Sequence, residues 1–150
     1  MDQLVSLFQQ VELQEEKDRI AMSMGANEDV NQLKRVLDFA IGPEVRSQDS
    51  LFVIGNVSFN VKGRDLAWDF VKANYPMLMN RYKQSILFIR MIQYTTENFT
   101  TEERAKEIEQ FFMDNHNPAE RTVRQSIESI RINAAWRQRD EANLQKYFTQ

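Results

Sequence analysis

The sequence predicts an all-α protein, and three of its features carry that prediction. Of its 150 residues only 4 are Gly and 3 are Pro, too few for a turn-rich sandwich or barrel. Apolar residues recur at steps of three and four along most of the chain, as they do on one face of a helix. With 42% hydrophobic and 27% charged residues, the chain is typical of a globular domain that is large enough to bury a core.

The N-terminal part of the chain predicts a series of short helices. Segments 2–11 and 14–24 each carry apolar residues on one face, and Gly25 stands where a helix C-cap is expected. Asn27 is the expected N-cap of the next helix, which Gly42-Pro43 ends.

The middle of the chain contains the most apolar segments. Leu51-Phe52-Val53-Ile54 is compatible with a buried strand, but the helical neighbours on both sides favour a buried helix that starts at Ser47. Segment 60–74 is expected to be helical, and Pro76 is expected to begin a short helix that ends at Tyr82. Segment 85–94 is apolar nearly all round, which predicts a helix buried on most sides.

The C-terminal part predicts longer helices. Thr100 and Glu103 have the spacing of a capping box, which predicts a helix that continues to Asn115. Pro118 is expected to open the longest helical segment. We expect a break near Asp140, whose side chain can cap a last short helix.

The elements together predict an α-solenoid segment. Eight to ten short helices joined by short connections must form antiparallel neighbours. Each pair has about forty residues, the size of an armadillo- or HEAT-like helix pair. Because no linker or low-complexity stretch interrupts the chain, residues 1–150 are predicted to form one unit.

The composition excludes several kinds of site. The chain has no Cys and one His, His116, so it can form neither a thiolate zinc site nor an HExxH motif. Its four glycines are isolated, which excludes a phosphate-binding glycine loop. A net charge of −3 argues against a nucleic-acid partner. No secretory signal or membrane-spanning segment is expected, and we predict no catalytic residue, cofactor or metal within this chain.

The remaining polar and aromatic candidates have ordinary structural interpretations. His116 is expected to lie at a helix end, where a cation complements the helix dipole. Trp68 and Trp136 are expected to be core residues. An arginine-rich stretch is expected to pair with nearby carboxylates on a solvated face, with anion binding as the alternative. Its members are Arg121, Arg124, Arg131, Arg137 and Arg139.

A set of short strings, taken in order, resembles one protein family. The strings are QEEKDRI (14–20), VLDFA (36–40), EVRSQD (44–49), FVIG (52–55), GRDLAW (63–68), NRY (80–82), AERT (119–122) and NAAW (133–136). Each string alone is weak, but their order and spacing resemble the C-terminal part of puromycin-sensitive-aminopeptidase-like zinc aminopeptidases. The resemblance extends over essentially the whole chain.

The resemblance implies a non-catalytic role within a larger enzyme. These gluzincins carry HExxH and GAMEN motifs in a catalytic domain, and neither motif occurs here. In the family, an armadillo/HEAT-like helical domain forms a bowl that closes the catalytic chamber over the zinc. The chain is therefore expected to be the last part of that domain in a longer cytoplasmic protein. Its expected partners are the parent's own N-terminal catalytic domains and peptide substrates, with zinc bound only in the parent.

The resemblance also implies that some basic and aromatic side chains reach the substrate chamber. Arg81 and Tyr82, in the NRY string, are the first candidates, and Arg46 is the next. Arginine suits this role because its guanidinium binds carboxylates with two parallel hydrogen bonds. Two structural alternatives stay open: Tyr82 packs beneath the next helix, and Arg46 braces its own turn. After Tyr82 the family usually has a glycine-containing turn, where this chain has Lys83-Gln84-Ser85.

A different kind of function remains compatible with the residues. A stand-alone helical-repeat scaffold would bind a partner protein or peptide in a concave groove. An excised helical domain would also expose an apolar face, so an artificial dimer of the chain is a further expectation.

Overall fold

The fold is all-α, as the sequence predicts. The computed structural model describes residues 1–82 and 85–149, and it contains no strand in these ranges. Nine helices occur there: α1 Asp2–Gln10, α2 Gln14–Met24, α3 Val30–Ala40, α4 Ser47–Phe59, α5 Arg64–Ala73, α6 Tyr75–Tyr82, α7 Ile86–Thr96, α8 Glu102–Asp114 and α9 Glu120–Phe148.

The chain forms two compact units, Met1–Thr95 and Thr96–Gln150. The boundary falls at the last residue of α7, so the chain passes from one unit to the next in helical conformation. A boundary of this kind has no Pro/Gly-rich linker, which explains why the sequence predicted a single unit.

The first unit is organised around α4. This helix packs against α2, α3 and α5. Its buried residues are Ser50, Leu51, Val53, Ile54, Gly55, Val57 and Ser58. Its apolar run is therefore a buried helix and not a strand, as predicted. Trp68 of α5 is also fully buried, which confirms its expected place in the core.

Two glycines allow other segments to approach α4 closely. A Cβ atom on Gly63 would lie 2.4 Å from the carbonyl oxygen of Val57. A Cβ atom on Gly25 would lie 2.8–2.9 Å from atoms of Asn56 and Val57. Gly25 is the C-cap of α2 in a right-handed conformation, with φ −68°. It is therefore needed for close packing and not for a left-handed cap.

The second unit is built on an antiparallel pair, α8 and α9. Arg131, in the middle of α9, forms ion pairs with Glu102 and Glu109 of α8. Arg137, further along α9, donates to the hydroxyl of Thr100, just before α8 begins. The apolar side chains buried in this unit include Ala105, Ile108, Val123, Ile127 and Ile130.

Two predicted helix caps are wrong by one or two residues. The N-cap of α3 is Asp29, whose carboxylate accepts a hydrogen bond from the backbone N–H of Asn31. Asn27 instead accepts from the N–H of Asp29 in the preceding turn. The N-cap of α8 is Thr101, which accepts from the N–H of Arg104, so Thr100 and Glu103 do not form the predicted capping box. Residues one or two positions apart can both cap, and backbone direction selects one of them.

The predicted break near Asp140 is also wrong, because α9 runs without interruption for 29 residues. The Asp140 carboxylate accepts three hydrogen bonds from the guanidinium of Arg139 and begins no new helix. Trp136 is 53% exposed, which overturns its expected place in the core. From Ala135 to Thr149 every residue is exposed except Asp140, which is half-buried.

Candidate functional site

Two of the predicted site residues hold the connection between α3 and α4. Arg81, in the last turn of α6, donates from its guanidinium to the carbonyl oxygen of Ile41 at 3.1 Å. Its neighbour Tyr82 donates from its hydroxyl to the carbonyl oxygen of Ser47 at 2.7 Å. Ile41 follows α3 and Ser47 begins α4, so the end of α6 binds both ends of this connection.

The third predicted residue, Arg46, lies within the same connection. It is the N-cap of α4, and its Nε donates to the Asp49 carboxylate at 2.5 Å. A terminal nitrogen lies 3.9 Å from the carboxylate of Asp18 on α2. The hydrogen bond to Asp49 is the main reason that the pKa of Arg46 is raised above its usual value. Arg46 therefore braces its own turn, the structural alternative stated above, and reaches α2 as well.

The three side chains differ in what they offer to solvent. Arg81 is exposed, and the Arg46 side chain is 47% exposed. Tyr82 is only 5% exposed, and its hydroxyl is already bonded to backbone. The two arginines can thus meet a solute, while Tyr82 holds the connection from inside. Lys83 and Gln84, where the sequence departs from the family pattern, lie outside the described residues.

A partly enclosed cleft lies beside Arg46, between α2 and α4. It has a volume of about 120 Å³ and is lined by Asp18, Ala21, Met22, Asp49, Phe52 and Val53. We call it the α2–α4 cleft. At Met22 it adjoins a wider cleft of about 450 Å³ that extends past Phe59 and Val61.

Sequence reasoning missed this cleft, although the residues contain a signal for it. Asp18, Ala21 and Met22 on α2 have the same spacing as Asp49, Phe52 and Val53 on α4. Residues at i, i+3 and i+4 lie on one face of a helix. Two helices that carry a carboxylate followed by apolar residues on one face form such a cleft when those faces meet, and only the tertiary structure shows that they do.

The arginine-rich stretch is largely paired. Arg131 bonds to Glu102 and Glu109, and these bonds raise the pKa of its guanidinium. Arg137 bonds to Glu141 and Arg139 to Asp140, so the expected pairing with carboxylates is observed at these residues. A cleft of about 530 Å³ on α8 and α9 is lined by charges of both signs. These contacts favour a solvated face over an anion site.

The described part of the chain shows no cluster of side chains suited to a zinc ion. Its single His is exposed and follows the end of α8, near the predicted helix terminus. Among residues 1–82 and 85–149, no three His, Asp or Glu side chains converge as metal ligands. In the same ranges, no helix has the length and hydrophobicity to cross a bilayer.

Comparison with known proteins matches this sequence to one family. The sequence model of the ERAP1-like C-terminal domain matches residues 1–132, most of the chain. The chain belongs to the ERAP1-like C-terminal domain family. This finding confirms the resemblance to the C-terminal domain of an aminopeptidase family that the ordered strings suggested.

Its relatives are aminopeptidases and are much longer. The chain is 34% identical to Aminopeptidase M1-B of Oryza sativa subsp. japonica over 95% of the chain and 16% of the relative. It is 34% identical to Aminopeptidase M1 of Arabidopsis thaliana over 90% of the chain and 15% of that protein. Aminopeptidase N of Mus musculus is 31% identical, again over 95% of the chain and 15% of the relative. The chain thus spans about a sixth of the length of these relatives.

Proposed function

We propose that residues 1–150 are the C-terminal part of the helical domain of a cytoplasmic zinc aminopeptidase, without its catalytic domain. In the parent protein, this part closes the chamber over the zinc site and helps to position peptides whose N-terminal residues the enzyme removes. Its partners are the parent's catalytic domains and the peptide substrates. The isolated chain does not itself hydrolyse peptides.

The observation that carries this proposal is the family match over residues 1–132, in a chain that spans 15–16% of its aminopeptidase relatives. A helical unit without a convergent metal-binding group in its described part is suited to shape and binding rather than to hydrolysis.

Within this role, Arg81 and Arg46 contact the peptide and Tyr82 positions them. Both arginines keep exposed guanidinium groups, which suit peptide carboxylates and carbonyls. Arg81 donates one hydrogen bond to Ile41, and its guanidinium has further N–H donors. Tyr82, through Ser47, fixes the start of α4 beside Arg46.

The test is a kinetic comparison in the full-length parent enzyme. Arg81→Ala should raise KM for a nonapeptide about three- to tenfold, because a partly exposed charged contact is lost. Turnover of a chromogenic aminoacyl substrate should be unchanged, since so small a substrate does not extend away from the zinc site. Arg35→Ala is the matched control, because Arg35 is an exposed arginine on α3 that pairs with Asp2.

Two results would contradict the proposal. Zinc-dependent aminopeptidase activity in the pure 150-residue chain would refute its non-catalytic role. An equal effect of Arg81→Ala and Arg35→Ala on nonapeptide KM would remove Arg81 from the peptide-binding surface.

A stand-alone scaffold is the second candidate, and the end of α9 favours it. Trp136, Tyr147 and Phe148 are 53%, 75% and 79% exposed, which leaves apolar surface on this helix for a partner to cover. An antibody against the chain distinguishes the two candidates in an extract of its source. A band several-fold heavier than 17.8 kDa indicates the parent enzyme, whereas a band near 17.8 kDa indicates a separate module.

A further inference from the structure

We propose that the α2–α4 cleft binds a Lys or Arg side chain of a peptide. This inference rests on the proposed function, because it names the class of side chain that the peptide-binding surface selects next to Arg46. The occupant is one long side chain with an apolar stem and a cationic head.

The walls of the cleft suit the stem. Ala21 and Val53 are 2% and 1% exposed and form an apolar floor. Met22 and Phe52, on opposite helices, are 39% and 38% exposed and form the rim. The methylene groups of Lys or Arg bury readily along apolar surface while the charged head stays near water. A volume of about 120 Å³ admits one such chain and excludes a folded segment.

The charges of the cleft suit the head. Its polar lining consists of the carboxylates of Asp18 and Asp49. Asp49 is closely paired with Arg46, but Asp18 lies 3.9 Å from the same guanidinium and is less compensated. The amide of Gln14 also donates to both carboxylates, at 2.7 Å and 3.3 Å. Each carboxylate keeps lone pairs that can accept a further hydrogen bond from a cationic head. Two carboxylates against one guanidinium leave a net negative charge, which attracts a cation and repels an acidic side chain.

Arg46 lies where it connects the proposed peptide contact with the proposed side-chain cleft. Its guanidinium bonds to Asp49 and lies 3.9 Å from Asp18, the two carboxylates that line the cleft, and its side chain remains half exposed. A peptide that places a carbonyl or carboxylate on Arg46 therefore has its neighbouring side chain next to Asp18. The cleft and Arg46 then act as adjacent subsites of opposite charge.

The experiment measures peptide binding to the 150-residue chain by calorimetry. The probes are three nonapeptides of Ala and Ser that differ only at the central residue, which is Lys, norleucine or Glu. Norleucine keeps the stem and lacks the ammonium group. We expect the Lys peptide to bind about fivefold more tightly than the norleucine peptide, as for a partly exposed ion pair. The Glu peptide should bind weakest, and added salt should reduce the difference.

Two variants test the residues. Asp18→Asn should reduce the preference for Lys over norleucine to less than about twofold. Asp38→Asn is the matched control, because Asp38 is an exposed carboxylate on α3 that does not line the cleft. It should leave the preference unchanged. Far-ultraviolet circular dichroism confirms that both variants fold, and the peptide series on the unmodified chain tests the idea even if a variant does not.

The outcomes separate this inference from the proposed function. Equal binding of the three peptides, or a Lys preference that persists in Asp18→Asn, would overturn the inference and leave the peptide-binding role intact. If none of the peptides binds, both the inference and the peptide-positioning part of the proposed function fail.

Discussion

The helix α4 and the second half of α9 are helical for different reasons. α4 has a sequence that is poor in strong helix formers, with Val, Ile, Ser, Asn and Gly, yet most of it is buried. The second half of α9 contains more good helix formers, among them Ala, Arg, Gln, Glu, Leu and Lys, and almost all of it is exposed. Packing against three neighbouring helices stabilises α4, whereas local propensity and the Arg137–Glu141 ion pair stabilise the end of α9.

This difference shows that whether a segment forms a helix and whether its apolar face is buried must be decided separately. Steps of three and four in the apolar residues predict that a segment can form a helix with an apolar face. They do not show whether another element covers that face. In α4 the face is covered, and at the end of α9 Trp136 and Phe148 remain in solvent.

The largest expected effect uses the same substitution in both helices. Leu51→Ala in α4 should lower the free energy of unfolding by about 2–5 kcal/mol, because Leu51 is fully buried. Leu144→Ala in α9 should lower it by less than about 0.5 kcal/mol, because Leu144 is 40% exposed. Chemical denaturation of both variants checks the contrast, and equal losses would show that the end of α9 is covered in solution.

A second prediction concerns the close approach to α4. Gly63→Ala should cost about 1–3 kcal/mol, because the added Cβ meets the Val57 carbonyl oxygen, a backbone atom that cannot rotate away. The same denaturation experiment measures this loss. Ala142→Ser, at an exposed position near the end of α9, is the control and should be almost neutral. A stabilised Gly63→Ala would mean that the α4–α5 connection is looser than the structure shows.

A third prediction concerns Asn60, which follows α4 and bonds to the connection between α2 and α3. The amide of Asn60 donates to the carbonyl oxygens of Gly25 and Asn27 at 2.9 Å and 2.8 Å. Asn60→Ala should therefore cost about 1–2 kcal/mol, since two carbonyls lose their donor. Asn143→Ala, at an exposed position on α9, should change stability by less than about 0.5 kcal/mol in the same assay.

The smallest effect is expected at the end of α9 on acidification. Hydrogen bonds from Arg139 and Arg137 lower the pKa values of Asp140 and Glu141 below their usual values of 3.8 and 4.5. A carboxylate with a lowered pKa stabilises the folded form above its usual pKa, and this contribution is lost as the pH falls through the lowered value. Helical chemical shifts of residues 138–148 should weaken below about pH 4 while α4 is unaffected. A pH-independent α9 would show that propensity alone maintains this helix.

Much of the fold could be predicted from local pattern. The bounds of α2 agree with those predicted, and the apolar run in α4 was correctly interpreted as helical. The caps at Asp29 and Thr101 were missed because neighbouring residues have similar capping ability and differ only in backbone direction. The break expected near Asp140 does not occur, because the residues around it are good helix formers and its carboxylate bonds to Arg139.

The candidate site was predictable only in part. Arg46, Arg81 and Tyr82 came from the resemblance, and the structure brings all three to the connection between α3 and α4. Their contact with peptide stays a prediction. The α2–α4 cleft could not be foreseen, because its two halves are separated by about thirty residues, and no local pattern indicates that two distant faces meet.

The sequence by itself determined the class of fold, the approximate extent of the helices and, through its ordered strings, the family. These depend on residues close together in the chain, or on the order of short motifs. The tertiary structure alone decided which apolar faces are covered. It also shows that Gly25 and Gly63 leave room for the close approach to α4, and that Arg46, Asp18 and Asp49 meet. Those properties depend on atoms from distant segments, whose approach is set by the packing of whole helices.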